Sequence, residues 1–476
     1  MREHTQLDPD TIGITLPGGI RIRVPSSSSA LTTYVLLEQG DWFEDEIHFV
    51  REFVRPGMTV VDIGANFGIY TLAMAKNLGD SGRIWSFEPA PTTTAFLAGS
   101  IEDNNLKNVH LVKAGLSDRL GSATLYLSRN SEMNSLTRRS SSGERTETVP
   151  LLTLDQCRED FGWENIDFIK LDAEGEEVNI LRGGKRLLAD LSPIIMTEYK
   201  HGRTINTELI GAFGTFGYRP YRLIPGVGTL IPFSAEEAAD PFLLNIFFCR
   251  DDKARRLEDE DIIVTLRDAP SMDDYSPIRD HLEHAAYANA TGLTALAEGI
   301  TRTRNDYLDM LAAYLRSRDT AVSRPDRTAS LSAALDIARA LTAGNERSIT
   351  RLTTCARVAI DAGARKFSMA IVGTILKLFH AHHPLNFCEP FLPASSRYDR
   401  IDPGIRIHHW LYSSALELWI KKHSYSSYLS GENAVPFMEE LRIQGFLDED
   451  TTAWIDFATT ALASGAHHQN NQPGFT

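Results

Sequence analysis

The densest group of residues suited to chemistry lies at a glycine turn that follows a short apolar run. Asp62 lies near the end of the run, and Gly64 and Gly68 precede the helix-like segment Ile69–Leu78. Glycine lets the backbone approach a ligand closely, and exposed N–H groups at a helix N-terminus favour a carboxylate or another anion. The Asp62 carboxylate would repel a pyrophosphate but can pair with an ammonium group. The turn therefore favours S-adenosylmethionine, which carries an ammonium and a carboxylate, over NAD.

A second acid ends the next apolar run along the chain. Glu88 follows the run 83–87 and lies about 20 residues beyond Gly68, where a carboxylate can accept both hydroxyls of a ribose. Cofactors of both classes contain such a ribose. Capping of a helix or turn by Asp62 and Glu88 is the alternative interpretation, but the order and spacing of these two acids and two glycines favour a cofactor site.

A third acidic segment follows the apolar run 166–171. Asp172 is expected at the carboxyl edge of the sheet beside the glycine turn, with Glu174 two residues later and Glu198 after the run 194–197. Transfer of a methyl group to oxygen requires an acceptor oxygen held in place and a base that takes its proton. We predict Asp172 or Glu174 as that base and expect Glu198 to face the acceptor. Binding of Mg²⁺ by these acids, or a purely structural role at the start of a helix, are the alternatives.

Asn104 and Ser117 are further candidate contacts for the cofactor. Ser117 follows the third predicted strand, close to where adenine is expected at such a sheet edge. Ordinary capping or turn roles are the alternative for both residues. No metal site is predicted, because the histidine pairs of the chain place neighbouring rings on different faces of a regular element and no other ligand recurs at a suitable spacing.

The elements that must position these residues alternate between strand-like and helix-like segments. Short apolar runs occur at 59–63, 83–87, 109–113, 166–171, 194–197 and 245–249. Such alternation predicts a parallel, doubly wound sheet whose strand ends carry the site. A hairpin around 12–24 and a helix over 41–53 precede this region, and the polar stretch 128–147 is predicted as a loop.

A change in composition divides the chain into two domains. We predict an N-terminal hairpin and helix over 1–57, an α/β domain over 58–250, a linker rich in Asp, Arg and Pro over 251–277, a helical domain over 278–466 and a polar tail over 467–476. Apolar residues repeat at helical spacing in the second domain, for example at Leu331, Leu335 and Ala338. The expected architecture is therefore an α/β domain followed by an all-α domain.

Several motifs of the α/β region together resemble one known family. These are Val61-Asp-Ile-Gly-Ala-Asn-Phe-Gly68, Phe87-Glu-Pro-Ala90, Ala114-Gly-Leu-Ser-Asp118, Ile169-Lys-Leu-Asp-Ala-Glu-Gly-Glu-Glu177 and Thr197-Glu198. In this combination, over roughly residues 30–240, the chain resembles the FkbM family of methyltransferases. The resemblance implies a class I, Rossmann-like fold with a seven-stranded sheet, S-adenosylmethionine as methyl donor, and hydroxyl acceptors on sugars or polyketides. It also implies that the cofactor is bound by Asp62, Gly64, Ala65, Asn66, Gly68 and Glu88.

Charge and composition exclude several other classes of protein. The 476 residues contain 48 Lys and Arg against 63 Asp and Glu, a formal net charge of −15, which argues against passive binding to nucleic acid or anionic lipid. The four cysteines are dispersed, with no CxxC pair and no metal-ligand spacing, so the sequence supports neither a zinc site nor a disulfide framework. No signal-peptide pattern and no stretch long enough to span a membrane is found, so we expect a cytoplasmic protein.

The sequence thus predicts a cytoplasmic O-methyltransferase that uses S-adenosylmethionine to methylate a sugar hydroxyl of a glycan, glycolipid or related natural product. The helical domain is expected to recruit the substrate or protein partners. Two alternatives remain open at this point. One is a non-catalytic scaffold that binds the cofactor structurally, and the other is an NAD-dependent oxidoreductase or epimerase on the same type of sheet.

Overall fold

The fold is described from a computed structural model of the chain, which covers residues 4–127, 145–201, 204–205, 207–234, 240–268, 274–293, 305–344 and 346–465. Of the loop predicted over 128–147, residues 128–144 lie outside these ranges, and so does the predicted tail 467–476. The strands are, in chain order, β1 (His4–Asp8), β2 (Thr11–Leu16), β3 (Ile20–Pro25), β4 (Thr59–Ile63), β5 (Arg83–Phe87), β6 (Val109–Val112), β7 (Gly115–Leu116), β8 (Gly121–Leu127), β9 (Arg145–Leu152), β10 (Phe168–Leu171), β11 (Ile194–Glu198), β12 (Lys200–His201), β13 (Thr204–Ile205), β14 (Tyr218–Ile224), β15 (Thr229–Pro232) and β16 (Asn245–Arg250).

Helices surround this framework in the first half of the chain and form most of the second half. They are α1 (Leu31–Gln39), α2 (Glu46–Phe53), α3 (Ile69–Leu78), α4 (Pro91–Asp103), α5 (Leu154–Phe161), α6 (Glu177–Arg182), α7 (Lys185–Leu191), α8 (Thr207–Thr215), α9 (Asp251–Asp259), α10 (Ser276–His284), α11 (Ala288–Thr291), α12 (Asp306–Arg318), α13 (Arg324–Ala343), α14 (Ile349–Asp361), α15 (Arg365–His380), α16 (Ile407–Lys422), α17 (Ser427–Ser430), α18 (Val435–Gln444) and α19 (Glu449–Ala463). None of the helices in the described ranges combines the length and the apolar character that crossing a membrane requires.

The central sheet has the strand order of a class I methyltransferase. From one edge to the other it runs β6, β5, β4, β10, β11, β16, β14 and β15. The strands from β6 to β11 are parallel, and β16 is antiparallel to both β11 and β14. The predicted seven-stranded, doubly wound sheet is thus present, with β15 added as an eighth strand at the edge.

Alternate residues of the parallel strands point into separate cores, as expected for a sheet covered on both faces. On β4, Val60 packs with α2, α3 and the hairpin of β2 and β3, whereas Val61 packs with α5, α6 and α7. Both residues are fully buried. This double burial explains why the strands appear in the sequence as short, nearly continuous apolar runs.

The N-terminal region differs in part from the prediction. The expected hairpin is present as β2 and β3, with β1 pairing beside it. The helix predicted over 41–53 begins only at Glu46, and a separate helix, α1, precedes it. Trp42 and Phe43, which gave the helical spacing, instead pack against each other, and Phe43 also packs on Tyr425 of the helical domain.

The first half of the predicted linker over 251–277 belongs to the α/β domain. Helix α9 covers Asp251–Asp259, and Leu257, Ile262 and Ile263 are buried in the same core as β4. The charged residues that suggested a linker lie on the outer side of this amphipathic helix. The helical domain begins with α10 at Ser276, close to the predicted start.

The two domains pack against each other at two places. Ile224, Val227 and Ile231 of the β14–β15 hairpin belong to the core of the helical domain. Helix α1 packs on α17 and α19, where the carboxylate of Glu38 accepts hydrogen bonds from the Ser427 backbone N–H (3.0 Å) and from the Trp454 indole N–H (3.3 Å). The N-terminal segment is therefore held between the sheet and the C-terminal helices.

Candidate active site

Sheet register brings the predicted catalytic residues to one edge. Asp62 on β4 pairs with Lys170 on β10, and Leu171 pairs with Thr197 on β11. Asp172 and Glu198 therefore follow adjacent parallel strands at equivalent positions. Both lie at the carboxyl ends of these strands, where doubly wound sheets bind their ligands.

The glycine turn lies directly against the loop that carries Asp172. Gly64 has φ +76°, and a Cβ atom added to it would lie 1.7 Å from the carbonyl oxygen of Asp172. The Asp172 N–H also donates to the carbonyl of Ile63 (3.0 Å). Asn66 and Gly68 have φ values of +49° and +93°, so three residues of the turn adopt left-handed backbone. Only glycine fits at position 64, for both conformational and steric reasons.

Glu88 holds the turn in this shape. Its carboxylate accepts hydrogen bonds from the backbone N–H groups of Asn66 (2.9 Å) and Ala90 (2.8 Å). Removal from solvent raises the pKa of Glu88 to about 7. Each carboxylate oxygen retains a further lone pair that can accept a hydrogen bond. The structural role of Glu88 is therefore compatible with contact to a ribose, which stays a prediction.

Asp62 is completely buried, and one of its oxygens has no hydrogen-bond partner. The Thr71 hydroxyl donates to Oδ2 at 2.6 Å, whereas Oδ1 is unpaired. Burial raises the pKa of this carboxyl, and the nearby Lys170 lowers it. A buried acceptor without a partner is costly, which fits a ligand that brings an N–H donor to this position.

Lys170 lies at the centre of the charged edge and was not predicted. Its Nζ is 2.9 Å from Oδ2 of Asp172 and 5.0 Å from the centre of the Tyr70 ring, and the residue is 6% exposed. Burial alone would lower its pKa, but the carboxylates of Asp172 and Asp62 raise it above the usual value. The signal in the sequence is a lysine inside the apolar strand Phe168–Leu171.

The three predicted catalytic acids come together in space. Carboxylate oxygens of Asp172, Glu174 and Glu198 lie within 4.8 Å of one another. The pKa of Glu198 is raised well above its usual value, mainly by burial and then by the negative charge of Asp172. Glu177 shapes this loop by accepting hydrogen bonds from the Ala173 and Gly175 N–H groups, both at 3.1 Å. The oxygens are spaced for a divalent ion, but acids commonly cluster in this way without one, and we assign no metal.

The segment before α2 and the first residue of α2 add two more acids to the same edge. Oε2 of Glu44 accepts hydrogen bonds from the Tyr70 hydroxyl (2.6 Å) and from the Asn245 side chain (2.9 Å). Glu46 is 7% exposed, and burial followed by the charge of Glu44 raises its pKa to about 8. A turn rather than a helix over 41–45 is what places Glu44 here.

The two remaining candidates for cofactor binding have other partners. Asn104 ends α4, at the opposite edge of the sheet, where its amide bonds both the N–H (2.9 Å) and the carbonyl (2.6 Å) of Arg21. This position does not support the predicted cofactor contact and gives Asn104 a role in fixing the N-terminal hairpin. Ser117 is buried and donates to Glu176 at 2.9 Å, so it positions α6, and its contact with a cofactor stays a prediction.

Among the described residues, five acids surround Lys170 at this edge, which gives it an excess of acidic groups. The acids are Glu44, Asp62, Asp172, Glu174 and Glu198, with Lys170 among them. Such a site favours a cationic ligand. Carboxylates with raised pKa values are also suited to exchange a proton near neutral pH.

Comparison with known proteins agrees with this arrangement. Residues 62–220 match the family model described as Methyltransferase FkbM domain. Methyltransferase 1 of Beauveria bassiana (strain ARSEF 2860) is 28% identical over 160 residues, 30% of this chain and 64% of the relative. Methyltransferase sdnD of Sordaria araneosa is 30% identical over 154 residues, 26% of this chain and 59% of the relative. The chain thus spans less than two thirds of the length of either curated relative.

Among solved structures, the FkbM methyltransferase of Methylobacillus flagellatus KT is 16% identical over 40% of this chain and 43% of its own, with a TM-score of 0.28. That similarity is too low to support an argument. The family model, in contrast, covers the glycine turn, the three converging acids and the strands that hold them. Residues 62–220 of the chain therefore match a methyltransferase FkbM domain.

Proposed function

We propose that the protein is an O-methyltransferase that uses S-adenosylmethionine as its methyl donor. The observation that carries this proposal is the meeting of the glycine turn with the acids of three neighbouring strand ends inside the FkbM domain. A carboxyl edge with a negative charge excess suits a donor that carries a sulfonium and an ammonium group.

The residues at the turn fit such a cofactor. Asp62 offers a buried, unpaired oxygen for an N–H donor, and Glu88 has lone pairs left for ribose hydroxyls. Backbone groups of Gly64, Ala65 and Asn66 would lie along the cofactor where the turn bends. When bound, S-adenosylmethionine supplies an electrophilic methyl group, and the protein supplies position and a base.

We place the proton acceptor among the three converging acids and favour Glu198. Its raised pKa makes it a stronger base than an ordinary carboxylate, since basicity rises with pKa. Asp172 is engaged by Lys170 at 2.9 Å and would orient the acceptor hydroxyl. Glu174 completes the set of oxygens around the position of the acceptor.

The acceptor proposed here is a hydroxyl of a sugar in a glycan, glycolipid or related natural product, as the resemblance to the family implies. We further propose that the helical domain recruits this acceptor or protein partners, that nucleic acid is not a substrate, and that the protein acts in the cytoplasm. The net charge of −15 supports the exclusion of nucleic acid.

The test is transfer of tritium from S-adenosyl-[methyl-³H]methionine to a panel of glycans and glycosides. The wild type should label at least one acceptor, and Glu198→Gln and Asp172→Asn should each lose about 100-fold or more of the rate, as expected for loss of a base or an orienting group. The exposed Glu164→Gln is the control. Full turnover in all three acid variants, including Glu174→Gln, would overturn the assignment of the base.

Binding data separate this proposal from its alternatives. Cofactor binding without labelling of any acceptor would favour the scaffold interpretation. Tight binding of NAD without binding of S-adenosylmethionine would favour an oxidoreductase or epimerase.

A further inference from the structure

A cavity of about 430 Å³ lies between the α/β domain and the helical domain. Its wall includes Glu44 and Glu46 from the segment before and at the start of α2, Phe242 and Leu244 before β16, and Arg365 at the start of α15. This volume lies within the range of pockets that hold small ligands, about 300–1,000 Å³. Both domains therefore contribute to one partly open pocket of ligand size.

The cavity adjoins the candidate active site. Glu44 lines it and also accepts the hydrogen bonds from Tyr70 and Asn245 at the charged edge. The carbonyl of Leu244, another lining residue, accepts a hydrogen bond of 2.6 Å from the N–H of Tyr199, and Asn245 pairs with Glu198 in the sheet. A molecule in the cavity would thus contact Glu44, whose charge acts on Glu198, one of the acids proposed to act on an acceptor hydroxyl.

The helical side of the cavity is rich in basic residues, and most of them are neutralised by carboxylates. Arg357 pairs with Asp399 at 2.6 Å, and Lys422 pairs with Asp45 at 3.3 Å. The remaining pairs join Arg318 to Asp361 (3.5 Å), Arg397 to Glu417 (2.5 Å) and Lys421 to Glu417 (2.9 Å). These cations need no further partner.

Arg365 is the exception. Its guanidinium carbon lies 4.5 Å from the ring centres of both Phe242 and Tyr425, and Nε donates to the carbonyl of Lys422 at 2.7 Å. Nη2 is buried without a hydrogen-bond partner, and among the described residues no carboxylate forms an ion pair with this side chain. The nearby Asp240 carboxylate instead accepts the backbone N–H groups of Phe242 (3.0 Å) and Lys366 (2.8 Å).

Such an arrangement is costly unless a ligand completes it. A buried, unpaired donor on a charged group costs more free energy than one on a neutral group. The two rings fix the plane of the guanidinium, and a fixed guanidinium is the group best matched to a carboxylate or phosphate. Arg365 also lines a second cavity, of about 410 Å³.

We infer that the methyl acceptor carries an anionic group, a carboxylate or a phosphate, which pairs with Arg365 in the cavity between the domains. This inference rests on the proposed function, since it places the acceptor hydroxyl beside Glu198 while the anion contacts the helical domain. The helical domain then determines which hydroxyl compound is accepted.

Calorimetric titration of the full chain with glucose, glucuronate and glucose 6-phosphate tests this inference. S-adenosylhomocysteine binding is measured first, so that loss of the cofactor site is recognised independently of acceptor binding. We expect at least one of the two anionic sugars to bind about tenfold more tightly than glucose, and the stronger of the two identifies the preferred anion. Arg365→Met should abolish this preference and leave S-adenosylhomocysteine binding unchanged.

The matched control is Arg351→Met. Arg351 also lies over an aromatic ring, at 4.9 Å from the centre of Tyr307, but it is paired with Glu346 and Glu389 and lines neither cavity. This variant should keep the preference for anionic sugars. It should lower the melting temperature more than Arg365→Met does, because it breaks two ion pairs whereas Arg365→Met breaks none among the described residues. Equal binding of all three sugars, no binding of either anionic sugar, or a preference that survives in Arg365→Met would overturn the inference.

Discussion

Replacement of Gly64 by alanine tests whether the glycine turn and the acidic loop are joined as described. The added Cβ would lie 1.7 Å from the carbonyl oxygen and 2.9 Å from the carbonyl carbon of Asp172, closer than such atoms approach in proteins. Relief requires the Asp172 loop to move away from β4. The substitution should therefore affect both the stability of the fold and the geometry of the three acids.

The expected magnitude has two parts. An alanine at φ +76° costs about 1–2 kcal/mol because of its left-handed backbone. Overlap with packed backbone adds about 1–3 kcal/mol, which gives a total loss of about 2–5 kcal/mol. Gly162→Ala is the matched control, since Gly162 has φ +65° and ψ +41° but open space around its Cβ position, and should cost only the first part.

Urea denaturation followed by circular dichroism measures both variants against the wild type. Binding of S-adenosylhomocysteine is measured without urea, where both variants are folded. It should weaken in Gly64→Ala and remain unchanged in Gly162→Ala. The reasoning would be refuted if the two substitutions destabilised the protein equally and both left the affinity for S-adenosylhomocysteine intact.

Three further predictions concern charge and domain contact. Lys170→Met should lower the free energy of unfolding by about 3–5 kcal/mol and shift the pH profile of methyl transfer to higher pH, because Lys170 lowers the pKa of Glu198; an unchanged profile would contradict this. The pKa of Glu46 is raised from 4.5 to about 8 in the folded protein. Protonated Glu46 therefore stabilises the folded state fully below pH 4.5, and this stabilisation is lost as the pH rises through 8. In urea denaturation across this pH range, the free energy of unfolding of the wild type should fall by about 3–5 kcal/mol more than that of Glu46→Gln. An equal fall in the two proteins would be evidence against this. Glu38→Ala removes the acceptor for Ser427 and Trp454 and should cost about 2–4 kcal/mol and speed proteolysis between the domains, whereas unaltered cleavage would argue against this contact.

The sequence was sufficient to predict the sheet and its charged edge. Strands such as β4 and β10 are buried on both faces, so they appear as apolar runs. An acid lies near the end of β4 (Asp62) and another directly after β10 (Asp172). Because parallel strands end at one edge, the convergence of Asp172 and Glu198 follows from their positions in the chain. The positions of these two residues could therefore be predicted from local sequence patterns alone.

Other features depend on contacts between distant segments. Lys170 gains its role from acids on β4, on its own strand end and before α2, and a lysine in a strand does not reveal those neighbours. Phe43 follows helical spacing in the sequence but packs on Tyr425, which lies in another domain. Asn104 was a candidate cofactor contact, yet it lies at the end of α4, at the opposite edge of the sheet. The unpaired Arg365 is visible only once both domains are in place.

Calorimetric titration with S-adenosylmethionine and with NAD, on the purified wild type, Asp62→Ala and Glu88→Ala, is the decisive test of the proposed cofactor site. We predict that the wild type binds S-adenosylmethionine but not NAD and that both variants weaken this binding. Absence of binding to S-adenosylmethionine, or equal binding by the wild type and both variants, would contradict it.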